Sequence, residues 1–160
     1  MLDRCWRIVL WNRTQAALLR DLHEPQGSPA DLNGLELVFA PGPLRESLVN
    51  WDEVARAVLA RLKRQLARIG TDDPLGDIAA RIRSMPGVAE LESKIDPAGA
   101  SPILVPMRIR EGDRVLTWFS TLAVFGATGD VTLDELVIES FFPGDETTRA
   151  FVVQLATSPD

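Results

Sequence analysis

Residues 103–149 read ILVPMRIREGDRVLTWFSTLAVFGATGDVTLDELVIESFFPGDETTR, and this stretch decides the fold. Three runs rich in β-branched and aromatic residues are separated by two turn signals, Glu111-Gly112-Asp113 and Gly126-Ala127-Thr128-Gly129-Asp130. The pattern predicts a three-stranded antiparallel meander. On the middle run, Leu116, Trp118, Ser120, Leu122 and Val124 share one face, and Thr117, Phe119, Thr121 and Ala123 share the other. On the last run, Leu136, Ile138, Ser140 and Phe142 alternate with Val137, Glu139 and Phe141. Both faces are fairly apolar, so cover is expected on both. Ser120 and Ser140 allow two readings. They leave room and a hydrogen bond for a bound headgroup, or they are simply residues that sit well in strands.

Upstream, residues 5–11 (CWRIVLW) predict a strand that starts almost at residue 1, which leads to the expectation that further chain precedes it. Asn12 caps a predicted helix over 13–22. Residues 23–34 carry Pro25, Gly27, Pro29 and Gly34 and read as a loop, followed by a short apolar piece at 35–39 and a turn at Pro41-Gly42-Pro43. The clearest helix follows. Asn50 and Glu53 have capping-box spacing, and Trp51, Val54, Ala55, Val58, Leu62, Leu66 and Ile69 recur at steps of three and four. Arg56, Lys63, Arg64 and Arg68 lie opposite as a solvated face, and Gly70 stops the helix. Asp73-Pro74 opens another helix with Ile78, Ile82 and Met85 inward, ending at Pro86-Gly87. A short helix is expected at 88–95, a linker at 96–102 and a last helix at 145–156.

Segregated helices and strands predict an α+β fold. An N-terminal strand pair, then helices, then a meander is the order of a PAS-like domain, with an antiparallel five-stranded sheet covered by helices. At 160 residues, one compact domain over 1–160 is expected.

Composition excludes several functions. The net charge of −6 repels phosphate, so the chain by itself is a poor binder of nucleic acid. No apolar run approaches the roughly 20 residues that span a bilayer, and none reads as a secretory signal. A single cysteine, Cys5, has no internal partner, which favours a reducing compartment and a cytoplasmic location. The one histidine, His23, sits beside Glu24-Pro25 without a second ligand at metal-binding spacing, so neither a metal nor a cofactor is expected. GxxxxGK[ST], GxGxxG and GxSxG are all absent, and no catalytic residues are assigned. Asp72-Asp73 and Asp145-Glu146 open helices, where acids favour the dipole.

Several segments together resemble one family. They are Val9-Leu10-Trp11-Asn12 with Ala16-Ala17-Leu18-Leu19, then residues 48–56 (LVNWDEVAR), Phe119-Ser120-Thr121-Leu122, residues 130–136 (DVTLDEL), and residues 138–143 (IESFFP) with Asp145-Glu146. The chain resembles the MmyB-like ligand-binding domain of XRE-type helix-turn-helix transcriptional regulators of bacteria. The resemblance implies a PAS-like, non-enzymatic effector domain. Its ligand would be a small hydrophobic molecule, with a fatty acid as first guess. The domain would work as a homodimer, meeting DNA only through an N-terminal helix-turn-helix domain that this chain lacks. One sheet face would then meet the helices and the other a partner chain or the DNA-binding half. The ligand-binding candidates are Trp51, Val54, Val58, Met107, Trp118, Ser120, Leu122, Ile138 and Ser140. A filled dimerisation module without ligand is the competing reading.

Overall fold

A computed structural model describes residues 1–20, 32–69, 73–95, 104–124 and 136–157. Among these residues six helices precede the sheet: α1 (Arg13–Arg20), α2 (Gly34–Phe39), α3 (Pro43–Ser47), α4 (Trp51–Leu66), α5 (Pro74–Arg83) and α6 (Val88–Ser93). The strands β1 (Met107–Glu111), β2 (Arg114–Val124) and β3 (Val137–Pro143) follow, and α7 (Glu146–Thr157) closes the chain.

The meander forms as its sequence demands. Its three strands lie in the order β1-β2-β3, and both pairings are antiparallel. Glu111 pairs with Arg114, so Gly112 and Asp113 make a two-residue hairpin. Gly112 takes φ +56°, a left-handed conformation that lets a tight loop follow the strand twist. The second predicted turn, at 126–130, lies outside the described residues, as do the predicted stop at Gly70, the linker at 96–102 and His23.

The expected five-stranded sheet is a three-stranded one among the described residues. Residues 5–11 form no strand. Asp3 explains this: its Oδ1 accepts the backbone N–H groups of Cys5 (2.8 Å) and Arg7 (2.9 Å), and its carbonyl accepts that of Trp6 (3.0 Å). The acid thus curls the chain into a local turn, with Trp6 at φ +66°. Only Leu2 reaches the sheet, exchanging two backbone hydrogen bonds of 2.8 Å with Val137 on β3. The opposite edge is met the same way, by a bridge from Leu48 to Ile109 on β1. The apolar piece at 35–39 is also no strand. Asn33 Oδ1 accepts from Leu35 N (2.9 Å) and Glu36 N (3.4 Å) and caps it into α2.

Two apolar clusters meet at α4. Ala55, Leu59 and Leu62 face one with Leu35, Phe39, Leu75, Ile78, Ala79, Ile82, Val88 and Leu91. Val54 faces the other with Leu48, Ile109, Leu116 and Trp118. Trp51 and Val58 touch both. The helix is therefore a shared wall, and a movement of it is felt on both sides.

The start of α4 departs from the expected capping box. Asn50 makes no side-chain cap bond. Its buried amide instead ties the helix to β1, donating to Pro106 O (2.8 Å) and Glu53 Oε2 (2.9 Å) and accepting from Arg108 N (2.9 Å). Asn50→Ala leaves these groups short of partners and is expected to lower stability by about 2 kcal/mol, read as a smaller urea midpoint at unchanged slope. An unchanged midpoint would show that the tie contributes nothing.

Helix α7 is anchored by Thr148, which is fully buried. Its Oγ1 accepts from Thr117 N (2.8 Å) and donates to Asp145 Oδ1 (2.7 Å). The bond from the Thr148 hydroxyl, and next the one from the Thr148 backbone N–H (2.8 Å), hold the Asp145 carboxyl below its ordinary range.

Candidate functional site

The register of β2 against β3 settles which side chains share a face. Residues directly opposite one another point the same way. Trp118 opposes Pro143, Ser120 opposes Phe141, Leu122 opposes Glu139 and Val124 opposes Val137. On β1, Met107 opposes Trp118 and Ile109 opposes Leu116. These residues make the inner face. Phe119–Phe142, Thr121–Ser140 and Ala123–Ile138 make the outer face.

The inner face changes character along β2. At one end Leu116, Trp118 and Ile109 are buried beneath Val54, Trp51 and Val58 of α4 and Phe151 and Val152 of α7. Ser120 and Phe141 are half-buried, while Leu122 and Val124 are 42% and 69% exposed. The seam between helix and sheet is thus closed at Trp118 and opens towards Val124.

A polar group is set into this seam. Burial raises the pKa of Glu139, while a hydrogen bond from Ser120 and the charge of Arg61 act against the rise. Arg61 comes from α4. Desolvation lowers its pKa and the charge of Glu139 opposes the fall. Its guanidinium lies 4.2 Å from the centroid of the Trp6 ring. The indole of Trp6 in turn donates to Gln65 Oε1 at 3.0 Å. A second polar feature lies deeper. Trp118 is 4% exposed, and its buried Nε1–H has no hydrogen-bond acceptor.

The candidate residues divide on this geometry. Val54, Val58, Met107 and Trp118 gather in one cluster with Trp51 at its border, and Ser120 and Leu122 continue the same face. Ser140 and Ile138 stand on the outer face. Within this single chain that face is partly open: Phe142 is 42% and Ile138 39% exposed, and Phe142 stacks on Phe119 at 5.4 Å.

Trp51 is held as an anchor. Its Nε1 donates to Val38 O at 2.9 Å. Arg45 lies 3.9 Å above the ring centroid and donates to Phe39 O and Pro86 O, both at 2.7 Å. A surface hollow of about 300 Å³ beside it is lined by Pro41, Arg45, Glu46, Trp51 and Pro86.

Arg61 and Glu139 did not stand out in the sequence, although each carries a signal. Val54, Val58, Arg61 and Gln65 step by four, three and four along α4, so the arginine continues the inward stripe. Glu139 interrupts an otherwise apolar and hydroxyl run on β3.

The raised pKa of Glu139 makes a pH prediction. Between the ordinary carboxylate range and the higher folded value, the folded state binds more protons than the unfolded one. Stability therefore falls as pH rises through that window. Glu139→Gln removes this dependence, so the variant gains on the parent in urea melts as pH rises above the ordinary carboxylate range. A difference that stays constant with pH would contradict it.

No group of three or more His, Cys, Asp and Glu suited to a metal ion occurs among the described residues. Cys5 is buried, and burial, with help from Asp3, raises its thiol pKa, so it is no activated nucleophile. No described helix is long and apolar enough to cross a membrane.

A helix-lidded antiparallel sheet with a polar pair sunk in its seam has the makings of a binding domain. The chain belongs to the family of MmyB-like transcription regulator ligand binding domains, whose family model matches residues 1–155. Comparisons with curated proteins and with solved structures returned no match.

Proposed function

We propose that this chain is the effector-binding half of a bacterial one-component transcriptional regulator of the XRE type. It acts by binding, not by catalysis. A small hydrophobic molecule, an acyl chain such as a fatty acid being the first candidate, lodges between α4 and the inner face of the sheet. The observation that supports this most is the graded seam, where exposed Leu122 and Val124 lead inward past Ser120, Glu139 and Arg61 to the buried Trp118.

In this reading residues 1–160 form one PAS-like domain. The regulator is a cytoplasmic homodimer, and a helix-turn-helix domain beyond this chain contacts DNA. Since α4 walls both apolar clusters, a ligand that favours one placement of it biases the whole helical layer. A differential affinity of about 1–3 kcal/mol is enough for such a switch.

Native mass spectrometry of the purified chain, followed by denaturing extraction, tests the proposal. A co-purifying apolar molecule released on denaturation is expected. A chain that carries none and binds no acyl probe would favour the filled dimerisation module. The close packing of Leu116, Ile109 and Val54 is the observation on that side.

A further inference from the structure

We propose that the deep end of the ligand carries an uncharged hydrogen-bond acceptor, the carbonyl of an amide or ester, which takes the Nε1–H of Trp118. The inference rests on the effector-binding reading and narrows its acyl ligands to amides or esters in place of the free fatty acid.

Three observations carry it. First, the indole N–H is a donor only, and it is buried without an acceptor. Such a group is costly to leave unpaired, and most buried donors in folded proteins are paired. Secondly, the side chains packed in the same cluster are apolar: Val54, Met107, Ile109, Leu116 and Phe141. A carboxylate brought there would lose its hydration for a single neutral donor, whereas a carbonyl needs only the one bond. Thirdly, the cation of the seam is elsewhere. Arg61 acts on Glu139, which pairs with Leu122, four residues along β2 from Trp118. That is about 13 Å of strand, too far for one carboxylate to meet both groups. Glu139 also already supplies a counter-charge for Arg61.

Because the seam is closed at Trp118, α4 and α7 must yield slightly to admit the carbonyl. The open end at Leu122 and Val124 gives the path.

The test uses three probes of equal chain length, octanamide, octanoate and octane, with the intact chain. A proton–nitrogen correlation spectrum reports the indole N–H groups of its four tryptophans. Octanamide should move one of them downfield and bind about tenfold more tightly than octanoate. In Trp118→Phe that signal is missing, and octanamide affinity falls about tenfold while octane binding holds. The wild-type shift stands even if the variant folds poorly. Octanoate binding tighter than octanamide would overturn the inference and leave the effector-binding reading intact. So would octanamide binding with no indole shift, or an affinity unchanged by Trp118→Phe, the result expected if water alone meets the donor. If none of the three binds, the effector-binding reading itself fails.

Discussion

Ser120→Phe is expected to lower acyl-ligand affinity by roughly tenfold to a hundredfold, while Ser140→Phe leaves it unchanged. The two serines look alike in sequence, each flanked by apolar residues on a strand. The register separates them. Ser120 lies opposite Phe141 on the inner face, and Ser140 lies opposite Thr121 on the outer one. A phenyl ring at position 120 projects into the half-open seam and competes with the ligand for it. Overfilling a packed space costs about 1–3 kcal/mol, which converts to the stated range of affinity. At position 140 the ring joins an exposed face that already carries Phe119 and Phe142. Calorimetric titration of both variants with octanamide decides the matter. Equal losses at the two positions would mean that the ligand does not use the inner face.

Phe39→Ala is expected to have the largest effect on stability. The residue is fully buried at the end of α2, within the cluster that joins α2, α4, α5 and α6. Removing its ring leaves a cavity in a cluster whose members Leu35, Leu75 and Ile82 are each no more than 1% exposed. Such a change costs about 3–5 kcal/mol, against a total of about 5–15 kcal/mol for a typical domain. A fall in melting temperature of about 10 °C follows for a chain of this size. The carbonyl of Phe39 accepts from Arg45, which stacks on Trp51, so loosening here should reach the start of α4. A melting temperature within a degree or two of the parent would show that this cluster relaxes freely.

How much of this was legible in the sequence varies with the kind of interaction. The meander and the helices α4, α5 and α7 were legible because local period and turn chemistry specify them. Asp73 caps α5 through Leu75 N at 2.9 Å, with Pro74 in the first turn, as the dipeptide implied. Residues 5–11 misled because their composition suits a strand. One acid, Asp3, redirects three backbone N–H groups into a turn. Asn50 misled in the same way: its spacing to Glu53 fits a cap, yet its amide bonds to Arg108 on β1 and to Pro106 just before it.

The site was half legible. Alternation gave both faces of β2, but not which face of β3 continues each one. Between the two strands lie residues 125–136, and a shift of one residue in pairing exchanges every side chain between faces. That is why Ser140 and Ile138 were grouped with Ser120 and Trp118. Arg61 and Glu139 were overlooked for a related reason. A charge within an amphipathic pattern reads as solvated until the facing element is known.

The most direct test of the seam is photo-crosslinking with octanamide bearing a diazirine, followed by mapping of the labelled peptides. Labels on Val58, Ser120, Leu122 or Phe141, with protection of α4 amides against hydrogen exchange, are the predicted result. Labels confined to the outer face at Phe119, Ile138 or Phe142, or to the hollow beside Trp51 and Pro86, would contradict it.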